Sequence, residues 1–200
     1  MAVFFSLGIL QGQKLVKRTV LGSRADFYEI DAGDCYRISL RTGTSDQVEV
    51  RAQMDGEYAQ DLMLHVEEKG GTISIRADFL PAFVNPNDKL SAHKVVSISL
   101  EISLPVQKRV RLRGTDCHVW ATGDYELLEI DLDRGSCHLE ALTKSVRAKT
   151  LRGDIWLTTE RGDIRAHSDY GRVHGEEIPW GDADFMLHSQ RGDIHIQKPK

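Results

Sequence analysis

Residues 151–164 read Leu-Arg-Gly-Asp-Ile-Trp-Leu-Thr-Thr-Glu-Arg-Gly-Asp-Ile, and this stretch decides the fold because it contains one short unit twice. The unit Arg-Gly-Asp-Ile begins at Arg152 and at Arg161, and it returns at Arg191. Each copy places a glycine-aspartate turn directly before an apolar residue, which is the pattern of a tight turn followed by a short β-strand. This recurrence predicts a repeat architecture of stacked strands.

Two sets of glycines extend the repeat through the second half of the chain. The first set has spacings of 21, 18, 18 and 21 residues and comprises Gly114, Gly135, Gly153, Gly171 and Gly192. The members of a second set each lie about nine residues after a member of the first. They are Gly123, Gly162 and Gly181, with Thr143 in the remaining position. Rungs of this length bury their inward side chains only against neighbouring rungs. The spacing predicts a β-solenoid, single-stranded and β-helix-like with two flattened sheets, whose parallel rungs follow one another in chain order over residues 108–198.

The first half alternates between apolar and polar residues with a period of two, which predicts mixed β-strands over residues 25–104. The apolar positions fall in five blocks: Tyr36, Ile38 and Leu40; Val48, Val50 and Ala52; Leu62, Leu64 and Val66; Ile73, Ile75 and Ala77; Ile98, Leu100, Ile102 and Leu104. Helical apolar spacing is absent from the sequence, so an all-β protein is predicted. Residues 79–94 carry two prolines and a polar run, and they are predicted to form a surface loop that is either functional or merely connecting.

The N-terminal residues bear on the cellular compartment. Ala2–Leu10 is an apolar run with the length of a signal-peptide hydrophobic region, too short to span a bilayer as a helix. No basic residue precedes it, and Leu10 stands where a small residue would be wanted for cleavage after Gly12. A signal-like segment over residues 1–13 and a first strand of the domain are both open, and residues 14–200 are predicted to form a single all-β domain.

Composition excludes several classes of protein. The 200 residues are 40% hydrophobic with a net charge of −4, which argues against a dedicated binder of nucleic acid or of anionic membranes. No nucleophile elbow, phosphate loop, dinucleotide fingerprint or metal-ligand spacing is present, so no cofactor and no metal site are predicted. Cys117 and Cys137 are expected one rung apart, either as buried free thiols or as a disulfide, and Cys35 makes the cysteine count odd.

The predicted rungs bring five ring side chains into one outward column. The inward positions read Cys117, Cys137, Ile155, Val173 and Ile194, and the next residues outward read His118, His138, Trp156, His174 and His195. One interpretation is a structural stacking ladder, because like side chains on neighbouring strands pack well in solenoids. Another is a ligand-binding strip, in which rings stack on a sugar or imidazoles bind an adventitious metal ion.

Charges alternate on the other outward column of the predicted rungs. Arg109 and Arg111 are expected to face Glu129 and Asp131, which in turn face Arg147 and Lys149, so that the guanidinium of Arg111 contacts Asp131. Cross-strand pairs of opposite charge contribute about 0.2–1 kcal/mol each. Their predicted role is to favour the correct strand register.

The Arg-Gly-Asp tripeptides and their carboxylates have a structural and a catalytic interpretation. Glycine permits tight turns and aspartate caps the backbone that follows, so turn chemistry explains the tripeptides better than integrin binding does. Asp154, Asp163 and Asp193 are also the carboxylates available to a polysaccharide-acting enzyme on a β-helix scaffold, the alternative to a non-catalytic module.

The series at residues 151–155, 160–164 and 190–194, behind a β-rich first half, resembles the bacterial "putative adhesin" domain of unknown function, also called the toast-rack fold, over residues 25–198. The resemblance implies an exported β-solenoid module of the cell envelope, in the periplasm or at the cell surface, with no established catalytic residues. The predicted role is adhesin-like binding or structural support, and the partner is left unknown, with a glycan and an envelope protein both open.

Overall fold

The computed structural model describes residues 13–22, 25–56, 59–81 and 97–199. The elements in chain order are β1 (Gln13–Leu21), β2 (Phe27–Ala32), β3 (Arg37–Gly43), β4 (Gln47–Asp55), a 3-10 turn (Ala59–Asp61), β5 (Leu62–Lys69), β6 (Thr72–Phe79), β7 (Ser97–Pro105), β8 (Arg109–Asp116), β9 (His118–Arg134), β10 (Cys137–Arg152), β11 (Ile155–Thr158), β12 (Asp163–Ser168), β13 (Val173–Gly175), β14 (Asp184–Arg191) and β15 (Ile194–Gln197). The prediction of an all-β protein is confirmed. The described ranges contain no helix that is both long and apolar enough to cross a membrane.

All fifteen strands belong to one hydrogen-bonded sheet that is arranged as two ladders. Layer A has the order β1-β4-β7-β3, then residues 118–122 of β9 and 137–140 of β10, then β11-β15-β13. Layer B has the order β5-β6-β2-β8, then residues 127–134 of β9 and 145–152 of β10, then β14-β12. The two layers are joined because β9 and β10 each run through both.

The two long strands change layer at irregular positions. In β9 the change lies at Gly123, whose φ is 119°. In β10 it lies at Ala141 and Lys144, whose φ angles of 48° and 66° are unusual for residues with a side chain, and the pairing with β9 shifts register on either side of Leu142 and Thr143. These backbone irregularities bend each strand, as β-bulges do in other sheets.

Parallel pairing joins the strands from β8 to β15, and antiparallel pairing is confined to the N-terminal half. Leu128 pairs with Val146 and Ile130 pairs with Ala148, so the predicted parallel pairing of these two segments is present. The antiparallel pairs are β1-β4, β4-β7 and β5-β6. Inward side chains of both layers join one buried cluster, in which Phe185 and Tyr125 are fully covered.

The five apolar blocks of the first half lie on strands except for Tyr36, which is exposed and directly precedes β3, and the blocks do not include β1 or β2. Strand β1 is mostly exposed on both faces and carries Lys14, Lys17 and Arg18 among its residues, so it lacks a clear apolar alternation. It is held by antiparallel pairing with β4 at the border of layer A.

The order of the last rungs differs from the prediction that rungs follow one another in chain order. Strand β15 lies between β11 and β13, and β14 lies between β10 and β12. Strands β14 and β15 are therefore each inserted between two strands that precede them in the sequence. Equal spacing of the turn glycines cannot reveal such an insertion, because every rung presents the same turn and strand pattern.

The register of the first rung also differs from the prediction, by two residues. In the turn column each residue lies over the backbone of its neighbour, and the order is Cys117, Gly135, Gly153, Gly192 and Gly171. A Cβ at Gly135 would overlap the carbonyl oxygen of Cys117, which explains why glycine recurs here. Gly114 instead pairs with Ala32 and Leu132 inside layer B. The turn before β9 therefore has a cysteine where the turns before β10, β11, β13 and β15 have glycine.

Two predictions fall largely outside the described residues. The signal-like segment and its alternative, a first strand, concern residues 1–12, although Gln13 already lies in β1. The predicted loop over residues 79–94 begins with Phe79, which is the last residue of β6, and its residues 82–94 are outside the described ranges.

Candidate functional site

The outward face of layer A carries a row of five stacked rings, which we call the ring ladder. Parallel in-register pairing places each ring directly opposite the next, in the spatial order Trp120, His138, Trp156, His195 and His174. Consecutive ring centroids are 5.0, 4.5, 5.1 and 5.3 Å apart, and the interplanar angles are 2°, 4°, 11° and 15°. These spacings match the distance between neighbouring strands, so the rings stack along the hydrogen-bonding direction of the sheet.

Four of the five predicted ring residues belong to this ladder, and His118 does not. His118 pairs with Arg37, while Trp120 takes the place opposite His138. The prediction aligned His118 through Gly114, which is not part of the turn column, and so it displaced the first rung by two residues. Aligning Cys117-His118-Val119 with the Gly-x-aliphatic units of the other rungs would have found Trp120.

His118 is nevertheless linked to the side of the ring ladder. Its Nδ1 lies 2.8 Å from the hydroxyl oxygen of Ser136, which lies 3.1 Å from Nε2 of His138. Its ring is tilted by 44° to that of Trp120, with centroids 6.2 Å apart. Burial, together with the neighbouring His118, holds the pKa of His138 below its usual value. His138 is thereby favoured in its neutral form within the stack.

The orientation of the rings determines what a ligand would meet. Because the planes are nearly parallel and follow one another across the strands, each inner ring has both faces covered by its neighbours. The row therefore presents ring edges outward. Indole edges carry an N–H donor, and a neutral imidazole edge carries one donor and one acceptor.

The two ends of the ring ladder are different. At one end the guanidinium carbon of Arg37 lies 4.5 Å from the ring centroid of Trp120, a cation–π contact. At the other end His174 lies on β13, the last strand of layer A, and its Nε2 is 3.2 Å from a carboxylate oxygen of Asp193.

A polar row runs beside the ring ladder on the same face. It consists of the paired residues Thr122, Glu140, Thr158 and Gln197, two positions further along each strand. The amide nitrogen of the Gln197 side chain donates to the hydroxyl of Thr158 at 3.1 Å. Layer A therefore offers ring edges and hydrogen-bonding groups in register over successive strands.

The repeated aspartates serve the turns. The carboxylate of Asp154 accepts a hydrogen bond from the backbone N–H of Asp193 at 2.7 Å, and Asp193 accepts one from the N–H of Arg172 at 2.8 Å. The second bond, together with the nearby His174, lowers the pKa of Asp193 below its usual value. Asp163 lies on layer B beside Arg165. Asp154 and Asp193 therefore hold the backbone of neighbouring turns, as the turn interpretation of the tripeptides predicts.

All three cysteines are free and buried, which agrees with the thiol alternative. Burial raises the pKa of the Cys117 thiol to about 12 and also raises that of Cys137. Their predicted placement in one inward column is wrong, since Cys137 pairs with Val119 and Cys117 lies against Gly135. Thiols held protonated in this way are poor nucleophiles and poor metal ligands.

The outward face of layer B carries the alternating charges, in a register that differs from the prediction. Arg111 pairs with Glu129 instead of Asp131, and both its Nε and one terminal nitrogen donate to one carboxylate oxygen at 3.0 and 2.8 Å. Arg147 donates to the other oxygen at 3.3 Å. Burial alone would raise the pKa of Glu129, but the two guanidinium groups hold it below its usual value.

The corrected register extends the charge alternation to strand β2. One outward column reads Glu29, Arg111, Glu129, Arg147, Met186 and Arg165, and the next reads Asp31, Arg113, Asp131, Lys149, His188 and His167. The predicted facing of Glu129 with Arg147 and of Asp131 with Lys149 is correct.

The sequence matches no known protein-family model, and no curated protein is similar to it. In structure the chain is similar to a "putative cell adhesion protein" from Clostridium sporogenes, with a TM-score of 0.64 and 11% identity over 94% of this chain and 100% of that one. A "putative adhesin" from Bacteroides fragilis matches 96% of this chain and 100% of its own at 14% identity, with a TM-score of 0.39. The similarity to the Clostridium sporogenes protein shows a shared fold, which agrees with the adhesin-like fold that the repeated Gly-Asp-aliphatic unit implied.

Proposed function

We propose that this protein is a non-catalytic, adhesin-like module of the bacterial cell envelope that binds an extended glycan along the ring ladder of layer A. The observation that carries the proposal is the in-register row of five rings with a polar row beside it. An extended polysaccharide lying across the strands would meet a ring edge and a polar side chain on each of the strands β9, β10, β11 and β15.

The mode of binding follows from the ring orientation. Inner faces of the ladder are covered, so a sugar would bind to ring edges and to the polar row instead of stacking on each ring. Indole N–H groups of Trp120 and Trp156 would donate to sugar hydroxyls, and Glu140 would accept from them. His174 is the ring at the open end of the ladder, where a terminal sugar could stack.

The architecture that supports this surface is, in our proposal, a flattened β-solenoid over residues 108–198. The parallel ladders from β8 to β15 and the turn column of stacked glycines support it. The inserted position of β14 and β15 is a variation in strand order within that scheme.

Export to the periplasm or cell surface belongs to the same proposal. The signal-like segment at residues 1–13 and the adhesin-like fold support it. Fractionation of the native host, with the mass of the purified protein measured, tests export directly. Recovery with the cytoplasmic fraction would contradict it.

A glycan array followed by titration with the best envelope polysaccharide tests ligand binding. We expect Trp120→Phe and Glu140→Ala to weaken binding at least about tenfold, because the first removes an indole N–H donor and the second removes a carboxylate acceptor at the surface. Trp180→Phe is the matched control, since Trp180 is 76% exposed and lies outside the ladder. Failure of the wild type to bind any glycan, or equal binding by all variants, would overturn the glycan assignment.

The polysaccharide-cleaving alternative has less support. Asp154 and Asp193 are engaged with the backbone of neighbouring rungs, and Asp163 is on the other layer. Prolonged incubation with the bound polysaccharide, followed by an assay for new reducing ends, separates a binder from an enzyme.

A further inference from the structure

A second cluster of chemically versatile side chains lies on layer B, away from the ring ladder. His167 on β12 pairs in register with His188 on β14, and Asp169 follows β12 directly. The backbone N–H of Asp169 donates to the carbonyl of Ser189, which continues the ladder by one residue and fixes the aspartate beside both histidines.

The three side chains converge on one point. Nε2 of His167 and Nε2 of His188 each lie 3.1 Å from the same carboxylate oxygen of Asp169, and the three ligand atoms lie within 4.8 Å of one another. A tetrahedral zinc ion with bonds of about 2.0–2.1 Å separates its ligands by roughly 3.3 Å. Two sides of the triangle already have this length, so only a small rotation of one imidazole is needed to admit an ion.

Other imidazole–carboxylate contacts in the described ranges are pairs. His174 meets Asp193, and His65 meets Glu67, while the cluster on layer B is the only group of three that satisfies the distances for a metal ion there. Its two rings are 5.7 Å apart at 22°, and both Nε2 atoms face the same carboxylate oxygen of Asp169.

The surroundings leave room for further ligands. The side chain of His167 is 75% exposed, and β12 is the last strand of layer B. Lys149 neighbours His188, but it lies on β10, on the side of β14 opposite to β12. Its charge is therefore separated from Asp169 by the His188 strand.

We propose that His167, Asp169 and His188 form a binding site for a divalent transition metal ion of the zinc class, with water completing the coordination. Two imidazoles and one carboxylate are a ligand set that such ions prefer. The sequence shows His-Ser-Asp at residues 167–169, but it does not indicate that His188 lies beside them. That proximity arises because β14 is inserted next to β12.

Zinc titration of the tag-free full chain, stripped with chelator, tests the site. By isothermal calorimetry with zinc chloride at pH 7.5 we expect one ion per chain, accompanied by a rise in melting temperature. His167→Gln and His188→Gln should each weaken zinc binding at least about tenfold and remove the melting shift. Circular dichroism confirms that these exposed substitutions leave the fold intact.

His174→Gln is the matched control, because it removes an exposed imidazole that faces a carboxylate on the other layer. It should retain the zinc affinity of the wild type. Absence of saturable zinc binding, or equal loss in all three variants, would overturn the proposal. Since the ring ladder is not involved, glycan binding is expected to be unchanged in His188→Gln, so the two proposals fail independently.

Discussion

The outward faces of the two layers differ in chemistry. Layer A carries the ring ladder, and layer B carries columns of charged side chains. Over the strands of the ring ladder, layer A stacks indole and imidazole rings, whereas strands β2, β8, β9 and β10 of layer B alternate guanidinium or ammonium groups with carboxylates. Parallel in-register pairing makes columns of whatever occupies a position, so neighbours must attract each other. Rings attract one another when a ring stands at the same position of every strand. Charged side chains attract their neighbours only when the sign of the charge changes from one strand to the next.

The largest expected effect comes from the turn column that keeps both layers in register. Gly135→Ala should lower the free energy of unfolding by about 3 kcal/mol or more, because the new Cβ would overlap the carbonyl of Cys117 and the φ of 110° disfavours a side chain. Gly43→Ala is the control, since its Cβ would meet only Ser103 at 4.0 Å. Urea unfolding followed by tryptophan fluorescence measures both, and equal losses would refute the role given to the column.

Next in size is the removal of a ring from layer A. Trp156→Ala should cost about 2–3 kcal/mol, because Trp156 is half-buried and stacks on both His138 and His195. Trp180→Ala should change the stability by less than about 0.5 kcal/mol. If thermal and urea unfolding gave the two variants equal stability, ring stacking would contribute nothing to the stability of layer A.

Reversing one charge tests the alternation on layer B. Glu129→Lys should cost about 2 kcal/mol, because it places three cations in one column with Arg111 and Arg147. Glu129→Gln should cost about half as much, since it keeps hydrogen-bonding capacity and adds no repulsion. Glu126→Lys, at an exposed position, serves as the control in the same unfolding assay. A larger loss for the glutamine variant would contradict the alternation.

The pH dependence of stability should separate the two layers. The folded-state pKa of His138 is lowered, so the unfolded chain binds more protons there and stability falls as the pH drops below about 6.5. The folded-state pKa of Glu129 is also lowered, so its contribution is present above about 4.5 and is lost at lower pH. Melting curves from pH 8 to pH 3 should show that His138→Phe reduces only the first loss and Glu129→Gln only the second. A single shared transition would argue against independent layers.

The smallest effect is a gain. Met186 is 41% exposed and lies between Arg147 and Arg165 in the charge column. Met186→Glu restores alternation there and should stabilise the protein by about 0.5 kcal/mol, while Met186→Lys should destabilise it by a similar amount. Chemical denaturation at low salt measures the difference, which should shrink in 1 M salt because exposed charges are screened. Identical stabilities of the two variants would contradict this register.

The sequence predicted most of the strands, and the parallel pairing within the second half, because alternation and turn residues are local signals. Four of the five ladder rings followed from the same signals. Register in the first rung was missed because Cys117 occupies a position where glycine is the marker elsewhere, and Gly114 is a glycine without that role. Strand order was missed because nothing local distinguishes the edge rung from the inserted one, and the metal-site candidate depends on that order.

The inserted position of β14 and β15 has a consequence for synthesis of the chain at the ribosome. Among the described residues, β12 and β13 pair only with residues 184–197, so these two strands cannot dock while those residues are unmade. Until then the exposed edges of β10 and β11 are open to pairing with other chains, which is the situation that chaperones and rapid chain completion relieve. Closure of this end of the molecule therefore waits until residues 184–197 have been made.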